Sequence, residues 1–132
     1  MNPVIHFEMS YEDHQRLSAF YSKAFGWEMN RLGEEYGGYV IAMTAESDEN
    51  GTKVPNTING GFYDRKACPE GTAVTQVVIR VENIEESMRR VGEAGGKVLM
   101  DPMQIPNVGT YTVFLDTEGN RVAMLQPAPA MR

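Results

Sequence analysis

Several residue types are scarce in this chain, and each scarcity narrows what the protein can be. Its 132 residues include one cysteine, Cys68, and two histidines, His6 and His14. A single cysteine excludes an internal disulfide and a cysteine-based zinc site. No apolar run approaches the ~20 residues of a membrane helix, and no basic segment followed by an apolar stretch marks a signal peptide. These absences predict a soluble, cytoplasmic protein.

Positive charge is also in the minority. Twelve Lys and Arg residues stand against eighteen Asp and Glu residues, which leaves a formal charge of −6. With no run rich in Lys or Arg, this balance argues against nucleic acid and against an anionic membrane surface as partners. A neutral or cationic small molecule is compatible with it. The length and the hydrophobic fraction of 42% are ordinary for one domain spanning residues 1–132.

The most informative pattern is an internal repeat. Residues 6–29 align without gaps on residues 76–99, and both segments predict a strand, a helix, a glycine and a second strand. Two further strands are predicted in each half, so the chain reads as two tandem β-α-β-β-β modules, residues 3–66 and 72–127. This predicts an α+β fold with a curved mixed sheet around a central cavity. Neither half, at about 65 residues, would easily sustain a core alone.

Local signals support the predicted helices. Glu12 and Asp13 lie where the first helix begins, and Gly26 lies where it ends. Asn83 is a plausible N-cap for the second helix. The polar residues 46–56, which contain Gly, Pro and Asn, predict a loop.

A histidine and a glutamate lie two positions apart in the first strand. Because side chains alternate along a strand, His6 and Glu8 point to one side, while the neighbouring Phe7 points to an apolar side. The pair could be metal ligands, an acid/base pair, or a buried pair without chemistry. The repeat places Gln76 at the position of His6, and Arg80 lies on the same face as Gln76. His6 and Glu8 could therefore also hydrogen-bond each other or Arg80.

Longer motifs resemble a known family. They are HFEM in the first strand, SAFYSKAFGWE at the end of the first helix, VIRVENIEESMRRVGEAGGKV in the second module and FLDTEGNRVAMLQ near the end. Together they resemble the vicinal oxygen chelate superfamily, which includes glyoxalase I, extradiol dioxygenases and bleomycin-resistance proteins. The likeness is greatest to its uncharacterised glyoxalase-like subgroup. The resemblance implies a glyoxalase-like fold, a small-molecule site between the modules and a homodimer.

The resemblance also implies a divalent-metal site, with one ligand from the first and last strand of each module. The first-strand positions are His6 and Gln76. Metal-dependent members have a glutamate on the last strand of the second module, where this chain has Ala123. The last-strand position of the first module is Gly60 or Gly61. Two neutral ligands do not offset the dehydration of a divalent ion. No metal cofactor is therefore predicted.

Three functions follow as hypotheses, and whether the protein is an enzyme stays open. The leading one is a glyoxalase-like protein that binds a small molecule without the metal tetrad, with His6 and Glu8 as candidate acid/base residues. An alternative is a metal-dependent lyase, isomerase or dioxygenase using His6, Glu8 and Gln76. Another is a dimeric interaction module with no ligand. The candidate ligand contacts are His6, Glu8, Gln76, Arg80, Phe62 and Tyr111.

Overall fold

The computed structural model of the protein describes residues 1–129, which divide into two compact units. The N-terminal unit is His6–Thr75, and the C-terminal unit combines Met1–Ile5 with the chain from Gln76 onward. Each unit contains one α-helix and several strands, so the predicted α+β class is confirmed. Among the described residues, no helix is both long enough and apolar enough to span a bilayer.

The N-terminal unit holds a mixed sheet. Its elements in chain order are β1 (Val4–Tyr11, entering the unit at His6), α1 (His14–Phe25), β2 (Glu28–Arg31), β3 (Val40–Met43), β4 (Ser47–Asp48), β5 (Gly51–Thr52) and β6 (Asn59–Asp64). Strand β3 pairs antiparallel with both β2 and β6, whereas β1 pairs parallel with β6. The first and last long strands of the unit are therefore neighbours.

The C-terminal unit repeats this order. Its elements are β7 (Gln76–Arg80), α2 (Ile84–Glu93), β8 (Lys97–Val98), β9 (Met103–Ile105), β10 (Gly109–Leu115) and β11 (Arg121–Pro127). Strand β7 pairs parallel with β11, and β11 pairs antiparallel with β10. Strand β10 pairs antiparallel with β8 and β9 along different parts of its length. The predicted repeat of one module is thus confirmed.

The helix boundaries follow the local signals in the sequence. Asp13 caps α1, because its side chain accepts hydrogen bonds from the backbone N–H groups of Gln15 and Arg16, both at 3.0 Å. Gly26 ends α1 with a positive φ of 72°, which glycine adopts without steric cost. Asn83 caps α2 by accepting from the Glu86 N–H at 3.0 Å. The predicted ends at Gly26 and Asn83 are confirmed, and Asp13, expected only near the start of α1, is its N-cap.

Two local predictions need correction. The predicted loop over residues 46–56 includes the short hairpin β4–β5, whose turn is held by the Asp48 side chain accepting from the Asn50 N–H at 2.8 Å. The strand predicted after the glycine of the second repeat is only two residues long, because strand structure stops after Val98 and resumes at Met103. Strands of two or three residues are too short to show an alternating pattern.

The core of the N-terminal unit lies on the apolar side of β1. Its buried centre consists of Tyr11, Val40, Ala42 and Phe62, with the partly buried Phe7, Met9, Leu17, Tyr21, Trp27 and Met29 packed against it. Phe7 meets Phe62 edge-on, with ring centroids 6.1 Å apart. Gly60 is needed beside them, because a Cβ there would lie 2.5 Å from the Phe7 ring. The His6 and Glu8 side chains lie on the opposite side of β1 from this core, as the alternation of side chains along a strand predicts.

Candidate functional site

His6 and Glu8 lie on one face of the N-terminal unit, together with residues from two other strands. In the parallel register of β1 and β6, Glu8 lies opposite Gly61. In the antiparallel register of β3 and β6, Ile41 lies opposite the same Gly61, so Tyr39, two residues earlier, is on that face as well. We call the set His6, Glu8, Tyr39 and Gly61 the polar face.

Tyr39 lies across Gly61 and reaches Glu8. Its hydroxyl donates a hydrogen bond of 2.8 Å to Oε2 of Glu8, whose side chain is buried in a residue only 3% exposed. A Cβ at Gly61 would lie 1.9 Å from the Tyr39 hydroxyl oxygen and 2.1 Å from Cζ. The ring can therefore take this path only because position 61 has no side chain. A buried carboxylate needs such a donor to offset its loss of hydration.

His6 has a different environment from Glu8. It is partly buried, and burial lowers its pKa because the protonated ring loses hydration. The imidazole is therefore neutral at pH 7, with one nitrogen that donates and one that accepts. None of the hydrogen bonds that the structure gives within residues 1–129 involves its ring. This leaves His6 suited to contact a ligand.

The C-terminal unit carries a related pair. Gln76 is 4% exposed, and its Nε2 donates to the Tyr111 hydroxyl over 3.3 Å. Val78 lies opposite Ala123 in the register of β7 and β11, and Val113 lies opposite Ala123 in that of β10 and β11. Tyr111 thus lies two residues before Val113, the residue of β10 that pairs with Ala123. In the same way, Tyr39 lies two residues before Ile41, which pairs with Gly61. The repeat therefore extends to these tyrosines.

Two of the predicted ligand contacts, Phe62 and Arg80, make other contacts in the structure. Phe62 is 1% exposed and lies 5.4 Å from the Tyr21 ring of α1 between centroids, so it is a core residue of the N-terminal unit. Arg80 forms an ion pair with Glu82 at 3.6 Å, and both side chains are largely solvated. Such surface pairs contribute little to stability.

Comparison with known proteins identifies the family. A family model described as "Glyoxalase/Bleomycin resistance protein/Dioxygenase superfamily" matches residues 4–124. The chain belongs to this superfamily. A probable chloroplastic lactoylglutathione lyase of Arabidopsis thaliana is 33% identical over 113 residues, which are 81% of this chain and 31% of that protein. The lactoylglutathione lyase of Salmonella typhimurium is 27% identical over 135 residues, 98% of this chain and 96% of the relative.

Several curated relatives are longer than this chain, and the similar solved structures have lower sequence identity. The chain spans less than half the length of several curated relatives that it matches, the Arabidopsis protein among them. A structure of methylmalonyl-CoA epimerase in complex with methylmalonyl-CoA and NH4+ matches with a TM-score of 0.71 at 15% identity, covering 98% of this chain and 96% of the other. The epimerase from Mycobacterium tuberculosis gives 0.68 at 14%, covering 97% and 89%. At these identities the likeness shows the fold alone.

The residues present do not fit the divalent-metal site that the superfamily implies. Of the two glycines considered for the last strand of the first module, the register selects Gly61, which is on the side of Glu8. The room that a carboxylate would need there is filled by Tyr39, and the matching residue in the second module is Ala123. Within residues 1–129 no group of three or more His, Cys, Asp or Glu residues could hold a metal ion. The alternative set of His6, Glu8 and Gln76 contains only two donors of these types.

Tyr39 is the site residue that sequence reasoning missed. In the sequence it is one of several aromatic residues near strands, most of which are expected in a core. A usable signal lies in the two consecutive glycines of β6, because each leaves room for a neighbouring ring. Gly60 accommodates Phe7 on the core side, and Gly61 accommodates Tyr39 on the polar face.

Proposed function

We propose that the protein binds a small polar molecule on the polar face of the N-terminal unit without a divalent metal. The observation that carries this proposal is the hydrogen bond from Tyr39 to Glu8 across Gly61. The Tyr39 ring fills the space beside Gly61 that a metal-binding carboxylate would need, and its hydroxyl bonds the buried side chain of Glu8. A metal-independent binding face is the simplest use of that arrangement.

The chemistry of this face suggests the kind of ligand. Neutral His6 can donate or accept a hydrogen bond, and the Glu8 carboxylate lies two residues away on the same strand face. A ligand with N–H or O–H groups, neutral or cationic, suits both residues and the net charge of −6. Either residue could accept a proton from such a ligand as a general base. In the C-terminal unit, Gln76 and Tyr111 are candidate contacts through their amide and hydroxyl groups.

A second candidate is metal-dependent turnover of lactoylglutathione. It is favoured by the Salmonella lyase, which this chain matches over nearly the full length of both proteins. The two functions differ in their requirement for metal, so metal content separates them. The fold neighbours add methylmalonyl-CoA as a second compound to test.

The test is elemental analysis of the purified protein after exposure to nickel, cobalt, iron and zinc and then dialysis. We expect no retained ion, and no effect of a chelator on any ligand-induced rise in the unfolding temperature. Lactoylglutathione and methylmalonyl-CoA are the first compounds to test, each in binding and turnover assays. About one retained ion per chain, lost in His6→Ala, would overturn the proposal. The matched control is His14→Ala, which removes the other histidine, on α1, and should change neither metal content nor binding.

Three further expectations stay predictions: a homodimer, a cytoplasmic location and the alternative of an interaction module without a ligand. The last of these predicts that no small molecule shifts the unfolding temperature. Sedimentation at several protein concentrations tests the homodimer.

A further inference from the structure

We infer that Tyr39 and Gly61 together decide whether the polar face can hold a metal ion, and that Tyr39 excludes it. The inference rests on the proposed metal-free function and adds a specificity-determining residue to it. In this chain the ring of Tyr39 and a carboxylate on position 61 compete for one volume.

The first step is steric. Any side chain at position 61 begins with a Cβ that would lie 1.9 Å from the Tyr39 hydroxyl oxygen and 2.3 Å from its Cε1. Real Cβ atoms essentially never lie within 3.0 Å of a non-bonded heavy atom from a residue that is not a chain neighbour. The contact involves ring carbons as well as the hydroxyl, so the far end of the Tyr39 side chain must shift. A side chain at 61 therefore requires the Tyr39 ring to move away from position 61.

The second step concerns what holds the ring in place. Tyr39 is anchored through its hydroxyl to Glu8, one of the few buried polar residues among those described. Moving the ring would leave this carboxylate without that donor. Hydrogen bonds to charged groups are among the stronger side-chain bonds in proteins. The bond to Glu8 thus opposes the movement that a carboxylate at 61 would need.

The third step is a related arrangement in the C-terminal unit. Tyr111 occupies the register position of Tyr39, its hydroxyl accepts a hydrogen bond from the buried Gln76, and the last-strand position beside it is Ala123. Both units therefore have a small residue on the last strand and a tyrosine bonded to a buried polar residue of the first strand. Ala123 carries a Cβ, so the stricter exclusion at Gly61 belongs to the N-terminal unit.

Removing Tyr39 should make room for metal ligands. With a carboxylate at position 61, the N-terminal unit would present His6, Glu8 and that carboxylate on adjacent strands of one face. Three such protein ligands are the number that a metal site open to solvent uses.

The experiment compares four full-length proteins: wild type, Gly61→Glu, Tyr39→Ala and Tyr39→Ala/Gly61→Glu. Nickel is the probe, with retained metal measured by elemental analysis after dialysis and affinity measured by calorimetry. We expect the double variant to bind nickel about tenfold more tightly, or better, than either single variant, a change typical of one supporting residue at a metal site. If the double variant does not fold, Tyr39→Ala/Gly61→Asp, with a shorter side chain, takes its place.

The outcomes separate this inference from the proposed function. Nickel binding by Gly61→Glu as tight as by the double variant would show that Tyr39 does not exclude the metal, and the inference would fail. A folded double variant that binds nickel no better than Tyr39→Ala would overturn it as well. Nickel retained by the wild type would refute both the proposed metal-free function and the inference, whereas failure of the double variant alone leaves the metal-free function standing. Weak binding by all but the double variant supports both.

Discussion

A double-mutant cycle on Tyr39 and Gly61 tests whether the ring position and the bond to Glu8 depend on each other. The perturbations are Tyr39→Phe, which removes the hydroxyl, and Gly61→Ala, which adds one methyl group to the polar face. The added Cβ would lie 1.9 Å from the hydroxyl oxygen and 2.1 Å from Cζ, so the ring must move and its bond to Glu8 must break. Both changes therefore remove the same hydrogen bond.

The expected magnitudes follow from that shared loss. Tyr39→Phe should lower the free energy of unfolding by about 1.5–3 kcal/mol, the range for a hydrogen bond to a charged group. Gly61→Ala should cost that amount plus roughly 1–3 kcal/mol for the displaced ring, as in other overpacked sites. In the double variant the bond is lost only once. Its cost should therefore fall below the sum of the single costs by about 1.5–3 kcal/mol.

The assay is urea unfolding at equilibrium, with the free energy extrapolated linearly to zero denaturant. Gly92→Ala is the matched control for a glycine-to-alanine change. Gly92 lies in α2, and a Cβ there meets nothing within 4 Å, so the variant should gain up to ~1 kcal/mol from helix propensity. Additive costs in the cycle, or an unchanged stability of Gly61→Ala, would refute the proposed dependence.

Three other predictions test the remaining parts of the structure. Gly60→Ala should lower the free energy of unfolding by about 1–3 kcal/mol, because its Cβ would meet the Phe7 ring at 2.5 Å, and Phe7→Leu in the same chain should recover part of it. Asn83→Ala should cost about 1 kcal/mol by urea unfolding through loss of the α2 cap, with ligand binding unchanged. Because the folded pKa of His6 is lowered, the unfolded state binds its proton first as pH falls below 6.5. Wild-type stability should therefore drop relative to His6→Asn in that window, and parallel curves would contradict this.

Much of the fold was predictable because its signals are local. A strand period of two, a helix period of 3.6 and the capping residues Asp13, Gly26 and Asn83 are each readable within a few positions. The 70-residue offset repeats these signals in the same order, and α1 and α2 begin at residues 14 and 84. The pattern also assigned Phe7 and His6 to opposite sides of β1 correctly. Each of these conclusions needs no knowledge of distant contacts.

The site was less predictable because its members meet through strand pairing. In β6 two glycines precede Phe62, so the usual alternation of large side chains is missing and the face of Phe62 cannot be read. The register with β1 assigns Gly61 to the side of Glu8, and Phe62 therefore lies on the core side. Tyr39 lies 31 positions from Glu8 in the chain. Only the tertiary structure joins them.

The two units have diverged in a way that locates any acid/base chemistry. At equivalent positions, the N-terminal unit has His6 and Glu8, whereas the C-terminal unit has Gln76 and Val78. An amide neither gains nor loses a proton in the physiological range, and a valine side chain cannot hydrogen-bond. If residues at these positions transfer a proton, they are therefore His6 or Glu8, while Gln76 contributes hydrogen bonds only.

The tyrosines of the two units each bond a buried polar residue of their own unit. The Tyr111 hydroxyl accepts a hydrogen bond from Nε2 of Gln76. Tyr39 donates a hydrogen bond to Oε2 of Glu8, which is buried in the N-terminal unit. Exchanging Glu8 for Gln removes the acidic group and keeps a side chain of nearly the same size that can hydrogen-bond. If Glu8 acts as a base, Glu8→Gln should abolish turnover of any substrate while leaving its binding within about tenfold, whereas a binding-only face would change in affinity alone.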